Sequence, residues 1–130
     1  MNKLLVVFFI IFSVNSYATS LQPSDLKLIE TAGIPIYSKT TFANGSQDIG
    51  FRFATSLSPK ETQQWYRKQL PKWSVYNKYG GWILYDGAPD MGMAKVMSKN
   101  HISIQHNENL PQWFSLDKIM TTDITIMVIK

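Results

Sequence analysis

The chain has 130 residues and contains no cysteine. This absence excludes disulfide bonds, thiol catalysis, thiolate metal ligands and a lipid-modified N-terminal cysteine. Small exported domains often rely on disulfides for stability. If this chain is exported, its folded part must instead be stabilised by its apolar core alone.

Sequence motifs of common enzymes are also missing. No Gly-x-Gly-x-x-Gly segment, phosphate-binding loop or Gly-x-Ser-x-Gly elbow occurs. Asp86 and Asp90 share one loop, where aspartate is ordinarily a turn residue. We therefore predict a protein that is not an enzyme and uses no cofactor. A hydrolase is a more distant alternative, because convergent catalytic sites need not leave local motifs.

The long apolar run of the sequence stands at its N-terminus. Lys3 precedes an unbroken apolar stretch over residues 4–12, and Ser16-Tyr17-Ala18 has small residues at both positions that a signal peptidase reads. The stretch has roughly half of the about 20 residues that a membrane span needs. The pattern therefore predicts a secretory signal rather than a membrane anchor.

From this pattern we predict a signal peptide over residues 1–18, cut after Ala18, and a single domain over residues 19–130. The mature chain is expected to contain no transmembrane span and to reside in the periplasm or outside the cell. Nucleic acid is therefore not an expected partner.

The clearest local structure signal is a helix. Ser58-Pro59-Lys60-Glu61 forms a capping box with proline at the first helical position. Apolar and aromatic residues follow at helical spacing until Pro71, which disfavours helical geometry at the residue before it. This pattern predicts a helix over 59–70, and a weaker pattern predicts a short helix over 23–32.

Strand signals surround this helix. Asn44-Gly45 predicts a hairpin with a two-residue turn, and Gly80-Gly81 predicts a second hairpin turn between 73–78 and 82–85. A strand is predicted over 100–106. The last segment, 123–129, is apolar on both faces after Ile124, which is typical of a central strand. We therefore predict an α+β domain with a single antiparallel sheet of about five or six strands and one long helix, 59–70, packed on a face.

A third of the chain, residues 34–73, has a characteristic order of motifs. These are Ile34-Pro35-Ile36-Tyr37, Phe51-x-Phe53-x-Thr55, and Ser58-Pro59-x-Glu61-x-x-x-Trp65-Tyr66-x-x-x-Leu70 with Trp73. This order resembles small exported bacterial α+β domains of unknown function, in which a strand pair leads into a helix with a Trp-Tyr or Phe-Tyr pair. The resemblance implies the same fold and an exported location, and it implies no activity.

Basic and aromatic residues are concentrated between residues 60 and 85 of a chain with a formal net charge of +4. Aromatic rings offer flat apolar surfaces, and the cations attract anions. We predict a binding surface for another envelope or secreted protein, or for an anionic envelope polymer. Its candidate residues are Lys60, Arg67, Lys68, Lys72, Trp73, Tyr76, Lys78 and Trp82.

A methionine-rich segment supports an alternative function. Met91, Met93, Met97 and His101 could supply soft thioether and imidazole ligands to Cu(I) in an exported copper-binding protein. The competing interpretation is that these methionines fill gaps in a core. Their spacing matches no fixed ligand motif, so the copper site stays the alternative.

Overall fold

A computed structural model describes residues 20–130. The predicted signal peptide, residues 1–18, lies outside the described residues. Within the described part, no helix is long and apolar enough to cross a membrane.

The described residues form four helices and six strands. In chain order these are α1 (Pro23–Thr31), β1 (Thr41–Ser46), β2 (Gly50–Thr55), α2 (Pro59–Gln69), β3 (Ser74–Tyr76), β4 (Ile83–Tyr85), α3 (Met93–Met97), β5 (His101–His106), α4 (Leu110–Phe114) and β6 (Thr122–Met127).

All six strands belong to one open antiparallel sheet with the order β1-β2-β6-β5-β4-β3. The C-terminal strand β6 lies between β2 and β5, as its two-sided apolar pattern predicted. Ile124 and Ile126 of this strand are fully buried. The α+β class and the single antiparallel sheet are therefore confirmed.

The predicted helix start is confirmed at α2. The Ser58 hydroxyl accepts a hydrogen bond from the Glu61 backbone N–H at 3.1 Å, and Pro59 occupies the first turn. This cap satisfies a backbone donor that the helix itself cannot pair. Residue Leu70, directly before Pro71, leaves helical geometry, as expected for a residue before proline.

The expectation of one long helix is not confirmed, because four helices are present. A helix of eleven residues, such as α2, extends about 16 Å, whereas six strands span about 24 Å. A second helix, α1, covers further sheet surface on the same side, with Ile29 fully buried in the main core. Tyr37 then stacks on Trp65 of α2 with ring centroids 4.1 Å apart.

The first hairpin turns at a different place from the one predicted. Asn44 and Gly45 lie inside β1, and the chain reverses at residues 47–49 instead. In the observed register Phe42 pairs with Phe53, and their rings meet edge to face at 5.3 Å. The predicted register would place Phe42 opposite Gln47. Pairing of two large aromatic side chains therefore outweighs the local turn preference of Asn-Gly.

The two faces of the sheet differ in character. The helix face, which α1 and α2 cover, carries the main apolar core. The other face, called the polar face below, carries Arg52, Asp123 and Thr125 on its β2–β6 part. At its β3–β4 end it has a small apolar cluster of Tyr76, Ile83, Tyr85 and Val96, the last of which belongs to α3.

Candidate binding groove

An open groove of about 610 Å³ lies at the C-terminal end of α2. This volume is within the usual range for ligand sites, about 300–1,000 Å³. It is called the basic groove below. Its lining residues are Gln64, Arg67, Lys68, Leu70, Pro71, Trp73 and Leu84.

The end of α2 creates the groove. Leu70 leaves helical geometry, and the backbone N–H of Trp73 donates to the Leu70 carbonyl at 3.1 Å in a tight turn. This turn brings Trp73 back beside the last turn of the helix, where it packs against the main core. Leu70 and Leu84 are buried residues that border the groove. The lining therefore combines apolar residues with polar and cationic ones.

Among the described residues, no acidic side chain lines the basic groove. Across residues 20–130, the ion pairs join Arg52 to Asp123 and Lys130 to Asp48. Arg67 and Lys68 are exposed on α2, and neither takes part in an ion pair within that span. Their charges are consequently available to an external anion.

The structure brings some of the predicted surface residues together and separates others. Arg67, Lys68 and Trp73 share the basic groove. Lys72 is exposed in the turn between two groove residues, and Lys60 is exposed in the first turn of α2.

The second predicted hairpin contributes less to this surface. Lys78 is exposed in the connection after β3, and Trp82 is half-buried against the main core. Tyr76 is buried in the small cluster on the polar face, so it lies outside the groove. Strand alternation places neighbours on opposite faces, and composition alone does not tell which aromatic faces outward.

Three groove residues had no functional signal in the sequence: Gln64, Leu70 and Leu84. Leu70 and Leu84 look like ordinary core positions, and only the ending of α2 exposes a concavity over them. Pro71 predicts that the helix stops. Pro71 and the nearby Trp73 together are the one feature of the sequence that indicates a change in the shape of the surface here.

The methionine set is dispersed. Met93 and Met97 are about two-fifths exposed on α3, whereas Met91 packs against the small cluster of the polar face. His101 is buried, and its Nδ1 lies 2.8 Å from the Lys99 carbonyl oxygen. Within the described part of the chain, no three His, Asp or Glu side chains are grouped as a metal site would require. Copper binding by the methionines stays a prediction.

Two buried titratable groups have displaced pKa values. Burial raises the pKa of Tyr66 far above its ordinary value, and a backbone hydrogen bond with Tyr37 opposes this rise. Burial lowers the pKa of His101. Neither residue lines the basic groove.

Comparisons with protein-family models, curated proteins and solved structures find no match to this chain. The resemblance over residues 34–73 therefore stays a prediction. The chemistry of the basic groove is therefore the basis for a proposed function.

Proposed function

We propose that this chain is an exported, non-enzymatic domain whose basic groove binds an anionic component of the cell envelope. The observation that supports this proposal is a groove of about 610 Å³ lined by Arg67, Lys68 and Trp73, with no acidic side chain of residues 20–130 in its lining.

The position of these cations has a second physical role. Cations in the last turn of a helix interact favourably with its unpaired carbonyl groups, by about 0.3–1 kcal/mol. That role accounts for Arg67 and Lys68 as helix-stabilising residues. It does not account for Lys72, a further exposed cation in the turn beyond the helix end. Binding of an anion would account for Arg67, Lys68 and Lys72 together.

The lining of the basic groove combines an aromatic ring with cations. The groove is open to solvent, so a segment of a polymer or of another protein can enter it. The ring of Trp73 can contact a sugar ring or an apolar side chain. Arg67 and Lys68 attract carboxylates or phosphates of the ligand.

The test uses protein purified from cells that express the full chain. Its affinity for fluorescently labelled polyglutamate and for a polyuronate would be measured by anisotropy at low salt. We expect Lys68→Glu with Lys72→Glu to weaken binding by about tenfold or more, corresponding to about 1.4 kcal/mol. The affinity of the wild-type protein should also fall as salt rises, because the attraction is screened.

A matched control is the pair Lys27→Glu with Lys118→Glu. Both lysines are exposed and outside the groove, and the pair changes the net charge by the same amount. We expect this control to retain most of the affinity. Equal losses in the two double variants would show attraction by net charge alone and would contradict the proposed site.

A further inference from the structure

The polar face of the sheet contains an arginine whose side chain is held from two sides. Nε of Arg52 lies 3.3 Å from Oδ1 of Asp123, whose side chain is only 2% exposed. The guanidinium carbon lies 5.5 Å from the centroid of the Phe114 ring, which is a cation–π distance. About a third of the Arg52 side chain is still exposed. Arg52 is therefore oriented by the protein and accessible from outside.

Arg52 is the centre of a polar row across three neighbouring strands. It pairs directly with Asn44 on β1 and with Thr125 on β6. These three residues line a second cavity of about 160 Å³, together with Gly45, Ile49 and Gly50. A cavity of this size holds one small group rather than a drug-sized molecule.

Glycine keeps this cavity's walls close together. Gly50 has φ +94°, and a Cβ built there would lie 2.6 Å from Sδ of Met127 and 2.8 Å from Cγ2 of Thr125. Any larger residue would therefore displace the side chain of Thr125, which lines the cavity. The close approach of β2 and β6 thus helps to position Thr125 beside Arg52.

The polar groups around this cavity are mainly hydrogen-bond donors. The Nε side of Arg52 faces Asp123, which leaves the two terminal nitrogens for a ligand. Oδ1 of Asn44 accepts a hydrogen bond from the Gly45 N–H at 2.7 Å, so the amide nitrogen of Asn44 is the group left to donate. The Thr125 hydroxyl adds a further donor.

The nearby acidic groups each face a cation. Oδ2 of Asp123 accepts a hydrogen bond from Nδ2 of Asn107 at 3.1 Å, whereas its buried Oδ1 has the ion-pair contact with Arg52 and no hydrogen bond within the described residues. Asp48, in the turn before β2, is paired with Lys130 at 2.6 Å. A neutral oxygen atom could accept from these donors, but an anion is also attracted by the charge of the accessible Arg52 guanidinium.

We propose that this cavity binds a carboxylate group of a small ligand. A carboxylate is planar and matches the two terminal nitrogens of a guanidinium in a bidentate arrangement. Ile49 at the rim is 69% exposed and can contact the carbon atoms attached to the carboxylate. The site is separate from the basic groove: Arg52 lies on the polar face, whereas Leu84 of the groove belongs to the core of the helix face.

The test is an NMR titration of ¹⁵N-labelled protein, purified from cells expressing the full chain, with sodium acetate. Sodium chloride at equal ionic strength serves as the reference, and sodium phosphate is titrated separately. We expect saturable shifts with acetate at the Arg52 side-chain Nε–H and at the amides of Gly45, Gly50 and Thr125. A single carboxylate contact should give a dissociation constant in the millimolar range.

Three variants decide whether the shifts report this site. Arg52→Lys keeps the charge but removes the planar pair of donors, and it should weaken acetate binding by about tenfold. Thr125→Val, which removes one donor and keeps the shape, should weaken it less. Arg67→Lys in the basic groove is the control and should leave acetate binding unchanged.

Chemical shift changes that chloride reproduces would overturn the proposal. An acetate affinity that is unchanged in both Arg52→Lys and Thr125→Val would overturn it as well. Tighter binding of phosphate than of acetate would overturn the assignment to a carboxylate. If Arg52→Lys does not fold, Asn44→Ala replaces it, since Asn44 is exposed and its amide is a proposed donor. Because the groove variants leave this site intact, the two proposals can fail independently.

Discussion

The two faces of the sheet are built by the same strands but perform different physical tasks. On the helix face, Phe51, Ile124 and Ile126 are fully buried beneath α1 and α2. On the polar face, the residues between them include Arg52 and Thr125, which remain partly exposed. Burial of apolar area is the main source of stability, so the helix face stabilises the fold. The polar face is thereby free to carry hydrogen-bond donors.

The largest effect should come from removing a side chain of the helix face. Phe51→Ala deletes a fully buried ring and should lower the free energy of unfolding by about 3–5 kcal/mol. Gln105→Ala, at an exposed position on the polar face, should change it by less than about 0.5 kcal/mol. Urea denaturation of the two variants measures both. Similar losses in the two would contradict the division of tasks between the faces.

An intermediate effect should come from breaking the ion pair of the polar face. Arg52→Met leaves the buried Asp123 carboxylate without its cation and should destabilise the fold by about 3 kcal/mol. This is the lower end of the range for buried pairs, because Arg52 is itself partly exposed. Replacing both residues, as Arg52→Met with Asp123→Leu, should recover part of the loss. A double variant less stable than the single one would contradict this explanation.

The smallest effect should be a dependence of stability on pH that His101 causes. This residue is buried, although it lies on the polar face. Burial lowers the pKa of His101 from an ordinary value of 6.5, so below that pH the unfolded chain binds a proton more readily than the folded one. The free energy of unfolding should therefore fall as pH is lowered from about 7.5 to about 5.5. In His101→Gln this fall should be smaller. His106→Gln, at an exposed position on the same strand, serves as the control, and an equal change in both variants would contradict the assignment.

Local signals predicted part of this architecture well. The Ser58 cap and the Pro71 stop define α2 through contacts within a few residues, so they could be recognised without the rest of the fold. The two-sided apolar pattern of β6 indicated a strand covered on both faces, and its central place in the sheet is confirmed. The short helices α3 and α4 were missed, because five residues give too few turns for a periodic pattern.

The two candidate binding regions were predicted only in part. Charge clustering identified Arg67, Lys68 and Trp73, which do meet in the basic groove. The cavity at Arg52 was missed altogether, because its members come from strands that are distant in the sequence. No local pattern indicates that Asp123 would lie behind Arg52.

By itself, the sequence determined the α+β class, the capped helix and the alternation of buried and exposed strand residues. These depend on backbone capping and on apolar periodicity, which act over a few residues. The tertiary structure decided the position of the first turn, the pairing of Phe42 with Phe53 and the place of Arg52 beside Asp123. The physical reason is that strand register minimises the free energy of the whole sheet, and one residue of slip would exchange its apolar and polar faces.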